Sequence, residues 1–200
     1  MEIAKKIVEF MGMPASGKST HVDHLCQVLQ SLGQNFLVVR DRDVQFKEGM
    51  RFAELNRLRF LHLVEQYRIF ENSGYKWLIF DRGFLDRTVW PSVDLAANYC
   101  TRAEYNGLQR LFRSFQVPPL NHIFLFMITP EEALQRHSHK KNVEAVDKYI
   151  MTSKYLRLLY IGYTKLKRRL PAGYIIINGK QKLESNRKII MRELGLNTAP

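Results

Sequence analysis

Cysteine is scarce in this 200-residue chain: Cys26 and Cys100 are the only two. They are far apart, with no CxxC spacing and no nearby histidine pair, so neither a zinc site nor a dithiol redox motif can be drawn from them. Both read as reduced, buried thiols. Long hydrophobic runs are also missing. No window approaches the ~18 apolar residues of a membrane span, and the apolar stretch in the opening MEIAKKIVEFMG is too short for a secretory h-region. The cytoplasm is therefore the expected compartment, with no membrane partner. Repeats, low-complexity tracts and Ser/Gly linkers are absent, so residues 1–200 read as one unit. The hydrophobic content of 46% and aromatic content of 12% are enough for one sizeable core, which excludes a disordered chain and a disulfide-stapled miniprotein. Acidic residues run short in one region only. Residues 136–192 hold 15 Lys and Arg against three acids (Glu144, Asp147 and Glu184), whereas residues 1–135 hold 16 against 15. The net charge of +12 thus sits in the last third, as either a phosphate-seeking surface or a solubilising helix face.

Short apolar runs recur at 6–11 (KIVEFM), 35–40 (NFLVVR), 76–80 (KWLIF), 122–128 (HIFLFMI) and 174–177 (YIII). Each is rich in Val, Ile and Phe and too short for a buried helix, so each reads as a buried strand. Helical patterns fall between them, at 18–32, 50–72, 86–98, 102–115, 130–139, 143–169 and 182–194. Gly33 and Gly74 stand where helix C-termini are expected, and Thr101 and Thr129 each precede a Glu at capping-box spacing. Strand alternating with helix implies a parallel sheet covered on both faces.

Directly after the first strand stands Gly12-Met13-Pro14-Ala15-Ser16-Gly17-Lys18-Ser19-Thr20, which matches GxxxxGK[ST] at every fixed position. Glycines let the backbone curl until successive N–H groups point inward, and the following helix adds the positive end of its dipole, which makes a phosphate cradle. Lys18 can then reach the β- and γ-phosphates, and Ser19 can ligate magnesium. A nucleoside triphosphate site follows, with ATP and Mg²⁺ as the expected cofactors.

The chain resembles the P-loop nucleoside and nucleotide kinases, in particular their thymidylate-kinase-like and deoxynucleoside-kinase-like branch. Four ordered blocks carry the resemblance: FMGMPASGKST, then VVRDRD with Arg40 and Asp41 matching, IFDRGFLDRTVW with Asp81 and Arg82 matching, and ITPEEALQR with Arg136 matching the first lid arginine. The resemblance spans almost the whole chain. It implies a three-layer α/β fold whose five-stranded parallel sheet has the order 2-3-1-4-5, with a basic lid segment at about 135–148. It also implies ATP- and Mg²⁺-dependent phosphorylation of a nucleoside or nucleoside monophosphate, and a possible homodimer. Three positions depart from the pattern. Gly83 stands where thymidylate kinases usually carry an aromatic residue, Pro91 where a Gln commonly contacts the base, and Lys140 or Lys141 in place of a second lid arginine.

Asp81, at the expected carboxyl edge of the sheet, could hold Mg²⁺ with Ser19 or cap a helix. Arg82 could offer a fork to a substrate phosphate or sugar, or pair on the surface. Asp41 and Asp43 compete to accept a hydroxyl acceptor's proton, with the resemblance favouring Asp41; a phosphate acceptor needs no base. Arg136, His137, His139, Lys140 and Lys141 form the basic cluster of the expected lid, with Arg136 and Lys140 reaching the donor's phosphates. Phe52, Phe60, Tyr67, Trp90 and Tyr99 could stack on a base or simply fill the core. Two rival readings stay open: a kinase of another small hydroxyl compound or of a nucleic-acid end, and a nucleotide-binding protein without transfer chemistry that binds nucleic acid through its basic third.

Overall fold

The first strand, β1 (Lys6–Gly12), is buried along nearly its whole length and occupies the centre of the sheet. A computed structural model describes residues 5–139 and 144–196 of the chain. On either side of β1 lie β3 (Trp77–Asp81) and β4 (His122–Met127), with β2 (Phe36–Arg40) and β5 (Ile175–Asn178) at the edges. All pairings are parallel and the order is β2-β3-β1-β4-β5, as the resemblance implies.

Strand alternation divides the core in two. Val8, Phe10, Ile79, Phe124, Phe126 and Ile177 pack against α1 (Lys18–Ser31) and α9 (Leu183–Leu194) on one face. Ile7, Leu78 and Phe80 point the other way, toward α2 (Phe52–Glu71), α3 (Phe84–Arg87) and α5 (Arg102–Arg113). Met11, Ile123 and Leu125 share that second face beside α4 (Trp90–Ala96), α6 (Pro130–Ser138), α7 (Asp147–Ile150) and α8 (Ser153–Lys167). Burial on both faces is why β1, β3 and β4 read as apolar runs, with Glu9 the exception in β1.

Two expected helices are divided. The 86–98 pattern breaks between Arg87 and Trp90, with Pro91 in the first turn of α4, where a missing N–H costs nothing. The 143–169 pattern breaks at Met151–Thr152, because the Thr152 side chain accepts the N–H of Tyr155 and starts α8 afresh. Thr101 and Thr129 cap α5 and α6 as their spacing predicts.

Strand register decides where chemistry can gather. Phe10 is level with Asp81, Arg40 with Asp81, and Gly12 with Phe126. Gly12, Arg40–Asp41 and Asp81–Arg82 therefore all leave the sheet at one carboxyl edge, where open α/β sheets bind ligands.

Candidate active site

At that edge opens a cleft of about 660 Å³, lined by the 14–20 loop, Asp41, Arg42, Arg59, Asp81, Arg82, Trp90, Arg136 and residues of the α7 region. Gly12 has φ 125°. A Cβ there would lie 2.0 Å from the Phe126 carbonyl oxygen, so only glycine lets the loop leave β1 against β4. Ala15 (φ 55°) and Gly17 (φ 93°) continue the curl in left-handed conformations. Ser16 Oγ donates to the Met13 carbonyl at 2.7 Å and tightens the loop from within.

Lys18 is buried, with Nζ donating to the carbonyls of Met13 (2.6 Å) and Gly12 (3.1 Å). Burial first, and then the Arg82 guanidinium, pulls it down to about 7 from the usual lysine value. Ser19 Oγ donates to Asp81 Oδ2 at 2.6 Å, so a hydroxyl and a carboxylate oxygen meet beneath the loop. Both are hard oxygen donors of the kind magnesium takes, and Asp81 is buried. Among the described residues there is no cluster of three or more His, Cys, Asp or Glu side chains suited to a metal, so a cation here would draw its remaining ligands from phosphate and water.

Arg82 has φ 74°, a strained backbone for a side chain of this size. Its N–H donates to the Phe10 carbonyl (2.9 Å) and its Nη1 to Gly12 O (3.1 Å) and Tyr163 Oη (3.1 Å). Burial alone would weaken its charge, but Asp86, Asp41 and Asp81 more than offset this and hold the guanidinium firmly protonated. The pivot of this arrangement is Asp86. Fully buried, it accepts from Gly12 N (3.0 Å), Tyr163 Oη (2.8 Å), Trp90 Nε1 (2.8 Å), Arg82 (3.2 Å) and Arg87 (3.3 Å). Burial pushes its carboxyl up, but Arg82, Arg87 and Lys18 win and bring it down to about 2.

Both oxygens of Asp41 are engaged, one by Arg87 Nη2 and one by Arg59 Nη1, each at 2.9 Å, and Arg82 Nε lies 4.0 Å away. Asp43 instead accepts the Arg40 N–H at 2.7 Å and does not line the cleft. Arg40 pairs with Asp23 (2.6 Å) and reaches within 3.9 Å of Asp81. Arg136 Nη2 donates to Glu132 and to the Gly179 carbonyl, each at 2.8 Å, and its Nη1 reaches the Ala15 carbonyl of the loop at 3.5 Å. His137 lines the cleft 3.8 Å from Asp147, and His139 does not line it. Lys140 and Lys141 lie outside the described residues, as does part of the 135–148 segment.

Of the five aromatic candidates only Trp90 lines the cleft. Phe60 and Tyr67 pack with Phe84 and Phe115 near α5, and Phe52 and Tyr99 stack on each other (4.8 Å) beside Tyr149. Four buried charged residues at or beneath the cleft escape a reading of the sequence by motif. Asp86 and Arg87 belong to a quoted block but not to its matched pair, and Arg59 sits in an amphipathic helix. The fourth is Glu9, a carboxylate in the middle of a buried strand, where its very oddity was the available signal.

No protein-family model matches the chain. In sequence it is similar to the thymidylate kinases of Thermoanaerobacter sp. (strain X514) and Thermoanaerobacter pseudethanolicus, each 23% identical over 203 residues that cover 93% of this chain and 95% of the relative. In fold it is similar to deoxyadenosine kinase from M. mycoides. The structure of that protein with dCMP and a flexible dCDP has a TM-score of 0.76 at 14% identity, covering 94% of this chain and 98% of the other. The structure with bound dATP has a TM-score of 0.71 at 14% identity, covering 95% and 99%. The sequence relatives and the structures of similar fold are thus themselves nucleoside or nucleotide kinases, the group that the motifs resemble.

Proposed function

We propose that this chain, thymidylate-kinase-like in sequence and deoxynucleoside-kinase-like in fold, transfers the γ-phosphoryl group of ATP to a nucleoside or nucleoside monophosphate with the help of Mg²⁺. The observation that carries this reading is the contact of Ser19 with Asp81 beneath a fully formed phosphate loop. The curated relatives are thymidylate kinases, and the similar solved structures hold deoxynucleotides, which supports a nucleotide donor and a nucleoside or nucleotide acceptor.

The N–H groups of the 12–18 loop bind the donor's phosphates, and Lys18 leaves the Gly12 and Met13 carbonyls to meet them. Magnesium, when bound through Ser19 and Asp81, neutralises phosphate charge and aligns the donor. Arg82 is aimed between loop and Asp41, where charge builds on the transferring group, and Arg136 closes the outer side of the loop. With a hydroxyl acceptor, Asp41 takes the proton on a lone pair that Arg59 and Arg87 leave open. With a phosphate acceptor no base is needed, and Arg42 and Arg59 line the cleft that receives the anion.

The single unit over residues 1–200, the lid at 135–148 and a homodimer belong to the same proposal. ATP consumption measured across nucleosides and nucleoside monophosphates tests it, with Mg²⁺-dependent turnover on at least one acceptor expected. No turnover on any of them would move the chain to one of the rival readings.

A further inference from the structure

Glu9 lies on the second face of β1, between Ile7 and Met11, each of which joins a different hydrophobic cluster. It is fully buried, an expensive position for a carboxylate unless something there needs its charge. Its Oε1 accepts the N–H of Asp86 at 2.8 Å, and its Oε2 accepts the N–H of Leu85 at 3.2 Å. It therefore grips the turn that runs from Arg82 to Arg87. The grip also explains Gly83. A Cβ at that position would lie 2.7 Å from the Glu9 carboxylate and 2.9 Å from Phe80 Cβ, so a side chain here would push the carboxylate from its place.

We propose that Glu9 is a positioning residue for phosphoryl transfer, holding from within the sheet the turn on which Asp86 sits, so that Asp86 clamps Arg82 against the phosphate loop. The inference rests on the transfer reading above for its kinetic consequence, but not for its structural one. Glu9 never reaches the cleft. It acts through two backbone N–H groups, and the effect passes to Arg82, Arg87, Gly12 and Trp90 through Asp86.

The state of the carboxyl matters to this grip. Burial, with the facing Asp86 charge adding to it, pushes Glu9 up to about 7, while the N–H groups of Asp86, Leu85 and Gly83 oppose the shift. A carboxylate accepts with both oxygens, whereas the acid form turns one oxygen into a donor facing an N–H. The grip is therefore complete above about pH 7 and weakened below it. Lys18 and Asp94 are the other buried groups near this region brought to about 7 and about 6, and Arg82 and Arg87 are the cations closest to Asp86.

Trp90 reports on the turn, because its Nε1 donates to Asp86 and its ring lies 4.9 Å from the Arg82 guanidinium. Replacing Trp77, which lies outside the cleft, by Phe leaves Trp90 as the sole tryptophan. In that background Trp90 emission should change through about pH 7, and Glu9→Gln should abolish the change while fixing the low-pH spectrum. At pH 8, Glu9→Gln should lower kcat about tenfold and leave the KM for ATP within about twofold. Gly83→Ala, which keeps the charge but forces the carboxylate aside, should reproduce the altered spectrum and serves if Glu9→Gln does not fold. A Trp90 transition that survives Glu9→Gln belongs to Lys18 or Asp94 and overturns the proposal, as does the absence of any transition near pH 7. If the wild-type protein turns over no acceptor, the transfer reading fails alone, and the Trp90 titration still decides the role of Glu9.

Discussion

Lys18 joins the loop's geometry to its chemistry. In the free protein its Nζ is stored on two loop carbonyls, and burial together with Arg82 has brought it to about 7. Phosphates placed against it restore the charged form, so ATP binding should take up protons between about pH 7 and the ordinary lysine range near 10.5. Calorimetry at pH 8 in buffers of different ionisation enthalpy should show net uptake approaching one proton, and zero uptake would contradict the assignment. Lys18→Ala should lose on the order of 3 kcal/mol of transition-state stabilisation, about a hundredfold in kcat, with unchanged circular dichroism. Arg82→Ala should affect the acceptor, raising its KM or lowering kcat with ATP affinity unchanged. Equal weakening of isolated ATP binding would move Arg82 to the donor side. At this scale the sequence was legible where a motif fixed both residue and spacing, as for Gly12–Thr20 and the Asp81–Arg82 pair. It was opaque where function comes from contact between distant segments. Asp41 sits between Arg59 and Arg87, and Glu9 beneath Asp86, through strand register and helix packing that no local pattern encodes.

The strands, buried on both faces in β1, β3 and β4 and partly exposed at the edges β2 and β5, were readable as apolar runs to within a residue or so of their observed bounds. Helix existence was readable too, but continuity was not. Pro91 and Thr152 each start a helix inside a stretch whose apolar spacing suggested one, because a proline in the first turn and a capping hydroxyl are local start signals that apolar periodicity does not register. What joins the resulting pieces is polar. Asp94 on α4 accepts from Tyr155 Oη on α8 and, at 2.6 Å, from Asn56 on α2, and burial lifts its carboxyl to about 6. A carboxyl raised above its unfolded value binds more protons in the fold, so its contribution to stability falls as pH rises from about 4 to about 6. Tyr155→Phe leaves that buried carboxylate with one fewer donor and should cost about 1–3 kcal/mol in urea unfolding at pH 8, and less at pH 4. An equal loss at both values would show that Asp94 does not titrate in this range. On α6, Arg136→Ala should cut kcat far more than it weakens ATP, if the element closes only around the transferring group. An unchanged kcat on the best acceptor would remove the lid from the account.

Across the whole molecule, charge and topology separate two duties. The acidic and basic groups that face one another at the carboxyl edge are nearly balanced, whereas the surplus cations lie in the last third of the chain. Lys165, Lys167, Arg168 and Arg169, at the end of α8, do not line the cleft. Replacing all four with Ala should leave turnover unchanged. If they instead serve a nucleic acid, the same variant should weaken oligonucleotide binding and flatten its salt dependence. No helix among the described residues is long and apolar enough to cross a membrane. The central claim is that the loop, the Ser19–Asp81 pair and Arg82 form a phosphoryl-transfer site, and the most direct measurement is transfer of labelled γ-phosphate from ATP to a panel of nucleosides and nucleoside monophosphates, with and without Mg²⁺. The account predicts a labelled acceptor product that requires Mg²⁺ and falls by about two orders of magnitude in Lys18→Ala; label remaining wholly on ATP across the panel, or a Lys18→Ala enzyme within about twofold of wild type, would contradict it.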